Sequence, residues 1–244
     1  MARRGRRTAV TLTVAVAVLA ALLVAVDRVG AWAAERVVAE KVSQEVGALG
    51  VTASEPEVTI SGWPFLTQVA DGRYDEIRVL LRDVSAKDFT LPELDIRVQG
   101  LQADLNALMS GEGPMAADRV EGTATIGYTS IRELIDQPGL QISEENGRLR
   151  MRLPLRVAGQ EVTAIATGEV GVADGRVRIT ATDIRPDGVE APPQLQRLLD
   201  GYKSRLSTEL ALPPLPMRLR IEDVQARYEG IAVTASAQGV PIAG

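Results

Sequence analysis

The chain has 244 residues, 45% of them apolar, but only two Trp, four Tyr and two Phe, so any large core must be built from Val, Leu, Ile and Ala. It has no Cys and no His, which excludes a disulfide framework, thiolate and imidazole metal sites, a Cys nucleophile, a lipid-modified N-terminal Cys and the commonest general base. The formal charge is −5; residues 1–28 hold five Arg and one Asp, so the remainder carries 22 basic against 31 acidic residues, and its field draws it neither to nucleic acid nor to an anionic membrane.

Arg3, Arg4, Arg6 and Arg7 precede Ala9–Val26, a stretch without a charge. At roughly 1.5 Å per helical residue its eighteen residues reach about 27 Å, close to the roughly 30 Å hydrocarbon thickness of a bilayer. Residues 1–28 therefore read as a cytoplasmic Arg-rich tip and a transmembrane anchor. By the positive-inside rule residues 29–244 form an extracytoplasmic domain, of a length that one fold can use. A cleaved signal peptide is the competing reading, because Ala31-Trp32-Ala33 offers an A-x-A site, although the apolar run exceeds the usual 7 to 15 or so residues.

Residues 29 to about 49 continue as a helix with Val38, Val42, Val46 and Leu49 on one face and charges on the other. From residue 56 the period becomes two. Ile77, Val79 and Leu81 alternate with polar positions, as do Leu94, Ile96 and Val98; Leu101, Ala103 and Leu105 follow with the phase moved by one at Gly100, as a β-bulge would leave it. Leu149, Met151, Leu153, Leu155 and Val157 alternate, then Val177, Ile179 and Ala181, then Met217, Leu219 and Ile221, each set marking a strand with one apolar face. Asp71-Gly72, Asn146-Gly147 and Asp174-Gly175 each open a strand and predict tight hairpin turns, hence a mainly antiparallel sheet.

Two helices interrupt the strands. Ser130 and Glu133 form a capping-box pair for a short one. Pro192-Pro193 open an amphipathic helix of about 17 residues through Leu195, Leu198, Leu199, Tyr202, Leu206 and Leu210, stopping at Pro213-Pro214. A last strand pair runs from Met217 to about Ala237 and turns near Glu229-Gly230. The fold class is α+β.

The catalytic inventory is thin. Asp75-Glu76 and Glu222-Asp223 are adjacent on strands, so the members of each pair point to opposite faces and do not converge on one atom. No G-x-S-x-G, Walker-type or G-x-G-x-x-G motif is present, and the reading is a protein without enzymatic activity, metal or cofactor. Arg148, Arg150, Arg152 and Arg156 share one face of a strand, either to hold a phosphate head group or as an ordinary solvated outer face. Pro64 opens a short helical turn with Phe65, Leu66 and Val69. Trp63 and Phe65 then either plug one end of the aliphatic core or form an apolar lip at a cavity mouth.

Gly62 to Val79, read as G-x-P-F-L-x-Q-x-x-x-G-x-Y-D-x-I-x-V after an anchor and an amphipathic helix, resembles the opening of the LmeA-like phospholipid-binding proteins of the actinobacterial cell envelope. The similarity continues through Asp118 to Ile135 and ends in Leu212-Pro213-Pro214-Leu215-Pro216 and the final hairpin, covering about residues 35 to 242. The resemblance implies a tubular lipid-binding fold, a long curved antiparallel sheet wrapping a helix around an apolar groove. Its partners would be a phospholipid or another acyl-chain lipid and, through the anchor, the membrane. Each buried chain methylene is worth about 0.8 kcal/mol, so such a ligand needs no catalytic residue to bind. Strand phase then nominates Ile77, Val79, Leu81, Leu149, Met151, Leu153 and Leu155 as lining, with Trp63, Phe65 and Leu66 at the lip. A role in envelope assembly or lipid handling is expected; the alternative is a structural or scaffolding envelope protein with a filled core.

Overall fold

A computed structural model describes residues 2–86, 89–111, 113–157, 160–188, 192–210 and 218–243. Among them are five helices and eleven strands, and the strands form two antiparallel sheets. Met217 and Pro213-Pro214, where a strand start and a helix stop were expected, lie outside the described residues.

Helix α1 (Ala2–Ala48) is unbroken, about 70 Å long at roughly 1.5 Å per residue, and the boundary expected at residue 28 falls inside it. Residues 16–26 are all exposed, so this apolar half is not a core helix. It is long and apolar enough to cross a bilayer, with a mean hydropathy of 1.9 over its described window. Beyond Val26 the helix turns one face to the domain. Ala31 and Ala34 are buried there, and their small side chains let the helix approach closely.

The first sheet contains β1 (Glu57–Ser61), β2 (Arg73–Ala86), β3 (Phe89–Gln102), β4 (Met115–Gly127), β10 (Arg220–Arg227) and β11 (Gly230–Ala243), in the order β1-β2-β3-β4-β11-β10. Two short helices, α2 (Phe65–Asp71) and α3 (Leu105–Ser110), pack with α1 at one end of it. The second sheet runs β5-β6-β7-β8-β9, from β5 (Gln141–Glu145) and β6 (Arg148–Val157) through β7 (Gln160–Ala173) and β8 (Arg176–Pro186) to β9 (Thr208–Leu210). Helix α4 (Tyr128–Ile135) leads into it and α5 (Pro193–Leu206) lies against β8. The chain is thus α+β with a long apolar N-terminal helix and antiparallel sheets. The strands divide into two sheets, however, and a sheet wrapped round a long helix is not seen among the described residues.

Several local expectations change for identifiable reasons. Asn146-Gly147 and Asp174-Gly175 are hairpin turns with positive φ at both positions, joining β5 to β6 and β7 to β8. Gly72 instead caps α2 in the left-handed conformation. Leu105 opens α3 rather than extending a strand, because the Asp104 side chain accepts a hydrogen bond from the Ala107 N–H at 2.7 Å. Helix α4 begins two residues before Ser130, with Gly127 at its N-cap and no capping box. Helix α5 has 14 residues: Ser207 is extended, its hydroxyl accepts from the Ala181 N–H at 3.0 Å, and Leu210 passes into β9 opposite Val177.

At Gly100 the expected bulge is a kink. A bulge adds a residue to one strand, but Gln99 pairs with Arg119 and Gln102 with Ala116, so the register is the same on both sides. Gly100 has φ +60° and turns the following side chains over, so burial passes from Val98 to Leu101. The neighbours slip in step, from Ile77 to Tyr74, Val120 to Ala117 and Ala237 to Val240. One apolar face therefore stays continuous across four strands.

Candidate lipid-binding site

Cross-strand register fixes which side chains of the first sheet share a face. Ile77, Val98, Val120 and Ala237 form one row; Val79, Ile96, Gly122 and Ala235 form the next; Leu81, Leu94, Ala124 and Val233 the one after. All twelve are apolar. The other face is polar: Arg78 and Arg97 both bind Asp95, Arg119 binds Glu121, and Thr123 binds Thr234. Binary alternation thus makes one side of this sheet water-facing and leaves the other in need of a cover.

That cover is complete only at the ends. Near α1, the residues Ala31, Ala34, Ile60, Phe65, Tyr74, Ile77 and Leu101 close into a cluster. At the far end Ile126, Ile231 and Val233 pack with α4, α5 and the second sheet. Between them Val79, Leu94, Ile96, Val98, Gly122, Ala124 and Ala237 are only half-buried; Val79 and Val98 touch the α1-end cluster, and Ile96, Val98 and Ala237 pack against a smaller third cluster of Ala117, Val120 and Val240. A Cβ placed on Gly122 would meet no atom of the described residues within 4 Å, so among them the space beside Gly122 is open. The floor there is lowered by Gly122, Ala124, Ala235 and Ala237, while Val79, Ile96 and Leu94 stand higher beside it. Val42 and Val46 of α1 are half-buried and join none of the clusters, so the helix packs tightly only through its Ala31–Val38 part.

The predicted site residues divide. Val79 lies on the open part of the face; Ile77 and Leu81 are buried beside it. Leu149, Met151, Leu153 and Leu155 are all buried on the inner face of β6, where they pack with Ala164 and Ala166 of β7, Ile131 and Ile135 of α4, and Leu199 and Leu206 of α5. Phe65 is buried at the α1 end, its ring centroid 6.4 Å from that of Tyr74. Leu66 is exposed, and Trp63 is 66% exposed. Phe65 plugs the core, then, and Trp63 does not.

Strand phase missed Gly122, Ala124, Ala235 and Ala237. The signal was present: in the middle of β4 and β11 the inward positions are Gly122, Ala124, Ala235 and Ala237, while Thr123, Thr125, Thr234 and Ser236 take the outward phase. A strand whose inward positions are small leaves room above itself.

Polar chemistry near this face is sparse. The Tyr74 hydroxyl is buried without a hydrogen-bond partner among the described residues, and burial together with Asp104 pushes its pKa up. Burial, with Glu144 nearby, pushes Tyr128 up to about 12, and its hydroxyl donates to the Arg227 carbonyl at 2.5 Å. Burial alone would raise Asp95, but Arg78 and Arg97 hold it below the usual carboxylate range. Glu222 is lowered by hydrogen bonding from Ser236, offset in part by burial. These shifts move away from neutrality, opposite to what proton transfer at neutral pH requires. The arginines of β6 are each paired: Arg148 with Glu169 at 3.2 Å, Arg150 with Glu145 at 2.7 Å, Arg152 with Asp187 at 2.6 Å and Arg156 with Glu161 at 3.2 Å. They form a solvated, charge-balanced face. No cluster of metal-ligating side chains occurs among the described residues.

A concavity of about 580 Å³ at the β10–β11 edge of the first sheet is lined by Arg218, Arg220, Glu222, Ser236, Ala237, Gln238, Gly239, Val240 and Pro241. Its walls mix charged and apolar side chains, it shares Ala237 with the floor of the apolar face, and it contains none of the residues nominated by strand phase.

The first sheet is thus broad and one-sided, with a half-covered apolar centre. The chain belongs to the LmeA-like phospholipid-binding family, which it matches over residues 25–236. Comparison with curated proteins and with solved structures returned no match.

Proposed function

We propose that this is a membrane-tethered, extracytoplasmic phospholipid-binding protein that serves cell-envelope assembly or lipid handling by binding, without turnover. The observation that carries the proposal is the open middle of the first sheet's apolar face, in a chain of this family. An acyl chain lies along the low floor of Gly122, Ala124, Ala235 and Ala237, against Val79, Leu94 and Ile96. The filled interior of the second sheet, including Leu149, Met151, Leu153 and Leu155, acts as the rigid support. Burying about a dozen methylenes at about 0.8 kcal/mol each leaves ample free energy for binding after the cost of ordering the chain.

The tether is supported by the arginines before the span and by the seating of α1. Asp27 accepts a hydrogen bond from the Leu66 N–H at 2.9 Å, Glu35 accepts one from the Ile60 N–H at 2.9 Å, and Ala31 is core. Cleavage after Ala33 would remove the first and third of these contacts, so the uncleaved anchor is the reading adopted.

The test uses Gly122→Phe. Position 122 lies in a strand, has room above it and gains β-propensity from the change, so the variant folds while its ring occupies the proposed floor. Native mass spectrometry of protein purified from a bacterial host should show bound phospholipid on the natural chain and its loss from the variant. Lipid retained by Gly122→Phe would place the ligand elsewhere, and a natural chain that neither carries nor takes up phospholipid would remove the proposal. The closed packing around the second sheet favours the scaffolding alternative, which expects that last outcome.

A further inference from the structure

Four large apolar side chains remain exposed where the helix leaves the span: Val29 and Trp32 on α1, and Trp63 and Leu66 at the start of α2. Their height above the span is fixed by contacts. The Leu66 N–H is bonded to Asp27, the first charge after the apolar run, and a Cβ on Gly30 would lie 3.5 Å from the Phe65 ring and 3.7 Å from the Leu66 side chain. The start of α2 is therefore level with residues 27–30, no more than four residues past Val26. At roughly 1.5 Å per residue that is about 6 Å beyond the end of the span, and the polar interfacial layer on each side of a bilayer is roughly 5 to 8 Å deep. Trp32 is two residues further on, but helical side chains tilt toward the N-terminus, which turns its ring back toward the span. Arg36 lies over that ring at 5.4 Å, a pairing of a cation with an amphipathic ring that suits the head-group layer.

We infer that Trp63, Leu66, Val29 and Trp32 are an interfacial foot, set into the head-group layer of the same bilayer that α1 crosses. The inference rests on the tethered reading above. The occupant of the patch is the bilayer itself, because an unbroken helix places the patch beside it. The foot holds the domain upright, with the α1 end of the first sheet nearest the membrane, so that lipid leaving the outer leaflet meets the open apolar face over a short path.

The chain contains only Trp32 and Trp63, so fluorescence reads the foot directly. Full-length Trp32→Phe protein is reconstituted into phosphatidylglycerol and phosphatidylethanolamine vesicles containing a phosphatidylcholine brominated either high or low on its acyl chain. Flotation of the vesicles reports the anchor separately. The foot predicts that Trp63 emission is blue-shifted, is quenched more by the shallow bromines than by the deep ones, and reverts to unquenched emission in Leu66→Glu. Quenching must also persist when Gly122→Phe is added, which separates contact with the bilayer from contact with a carried lipid. Protein that floats with Trp63 unquenched overturns the foot and leaves the tether standing; protein that does not float overturns both. Quenching abolished by Gly122→Phe assigns Trp63 to the bound lipid and likewise overturns the foot.

Discussion

Asp95 lies on β3, on the face turned away from the apolar rows, and accepts hydrogen bonds from two guanidinium groups at once. Arg78 donates twice, at 2.9 and 2.8 Å, and Arg97 once, at 3.0 Å. The residue is 8% exposed, so the ionised form would be costly without those partners. Because its folded pKa is depressed, the stability it contributes is present above the ordinary carboxylate pKa of about 4 and is lost as the pH falls through the folded value. Asp95→Asn should therefore destabilise the protein by about 1–3 kcal/mol at neutral pH, and the gap from the natural chain should narrow steadily below about pH 4. Urea unfolding of both proteins across that range checks it; a gap independent of pH would mean that shape, not charge, is what position 95 supplies.

Glycines on adjacent strands of the first sheet do opposite work. Gly100 on β3 has φ +60°, and a Cβ there would fall 2.2 Å from a carboxylate oxygen of Asp118, which is paired with Arg73 at 2.5 Å. Gly122 on β4 has neither constraint. Gly100→Ala should cost about 1–2 kcal/mol through the left-handed backbone alone, while Gly122→Ala should leave stability unchanged or slightly raised. Equal losses at the two positions in chemical denaturation would refute the kink as the device that keeps the apolar face continuous. The phase change at Gly100 was visible in the sequence, because burial had to move from Val98 to Leu101. Its cause was not, since a bulge and a kink leave the same pattern and differ only in whether neighbouring strands slip together. The one-sided strands and two hairpin turns were legible for a similar reason: they rest on alternation and on Asn-Gly or Asp-Gly, which are local. The division into two sheets depends on which strands pair across long separations, and no short stretch encodes that.

At the scale of the whole molecule, the same ambiguity governs the site. Alternation marks an inward face equally well on β2 and on β6, and only the assembled fold distinguishes them. The inner face of β6 is closed by α4, α5 and the neighbouring strands, while that of β2 to β4 lies between two filled ends with its centre half-bare. Val79 and Leu153 are alike in sequence pattern, and one borders open space while the other is core. If a phospholipid binds on the open face, a ligand carrying a photoreactive group midway along its acyl chain should label peptides from β2, β3, β4 and β11. It should spare Leu149 to Leu155, because reaching them requires displacing packed side chains at several kcal/mol each. The two ends of the lipid need not behave alike: a reactive group at the head-group end should label nearer α2 and Trp63, where the face approaches the apolar half of α1. Labelling concentrated on β6 would instead mean that the second sheet opens to admit the chain, and that the rigid support proposed for the molecule is its moving part.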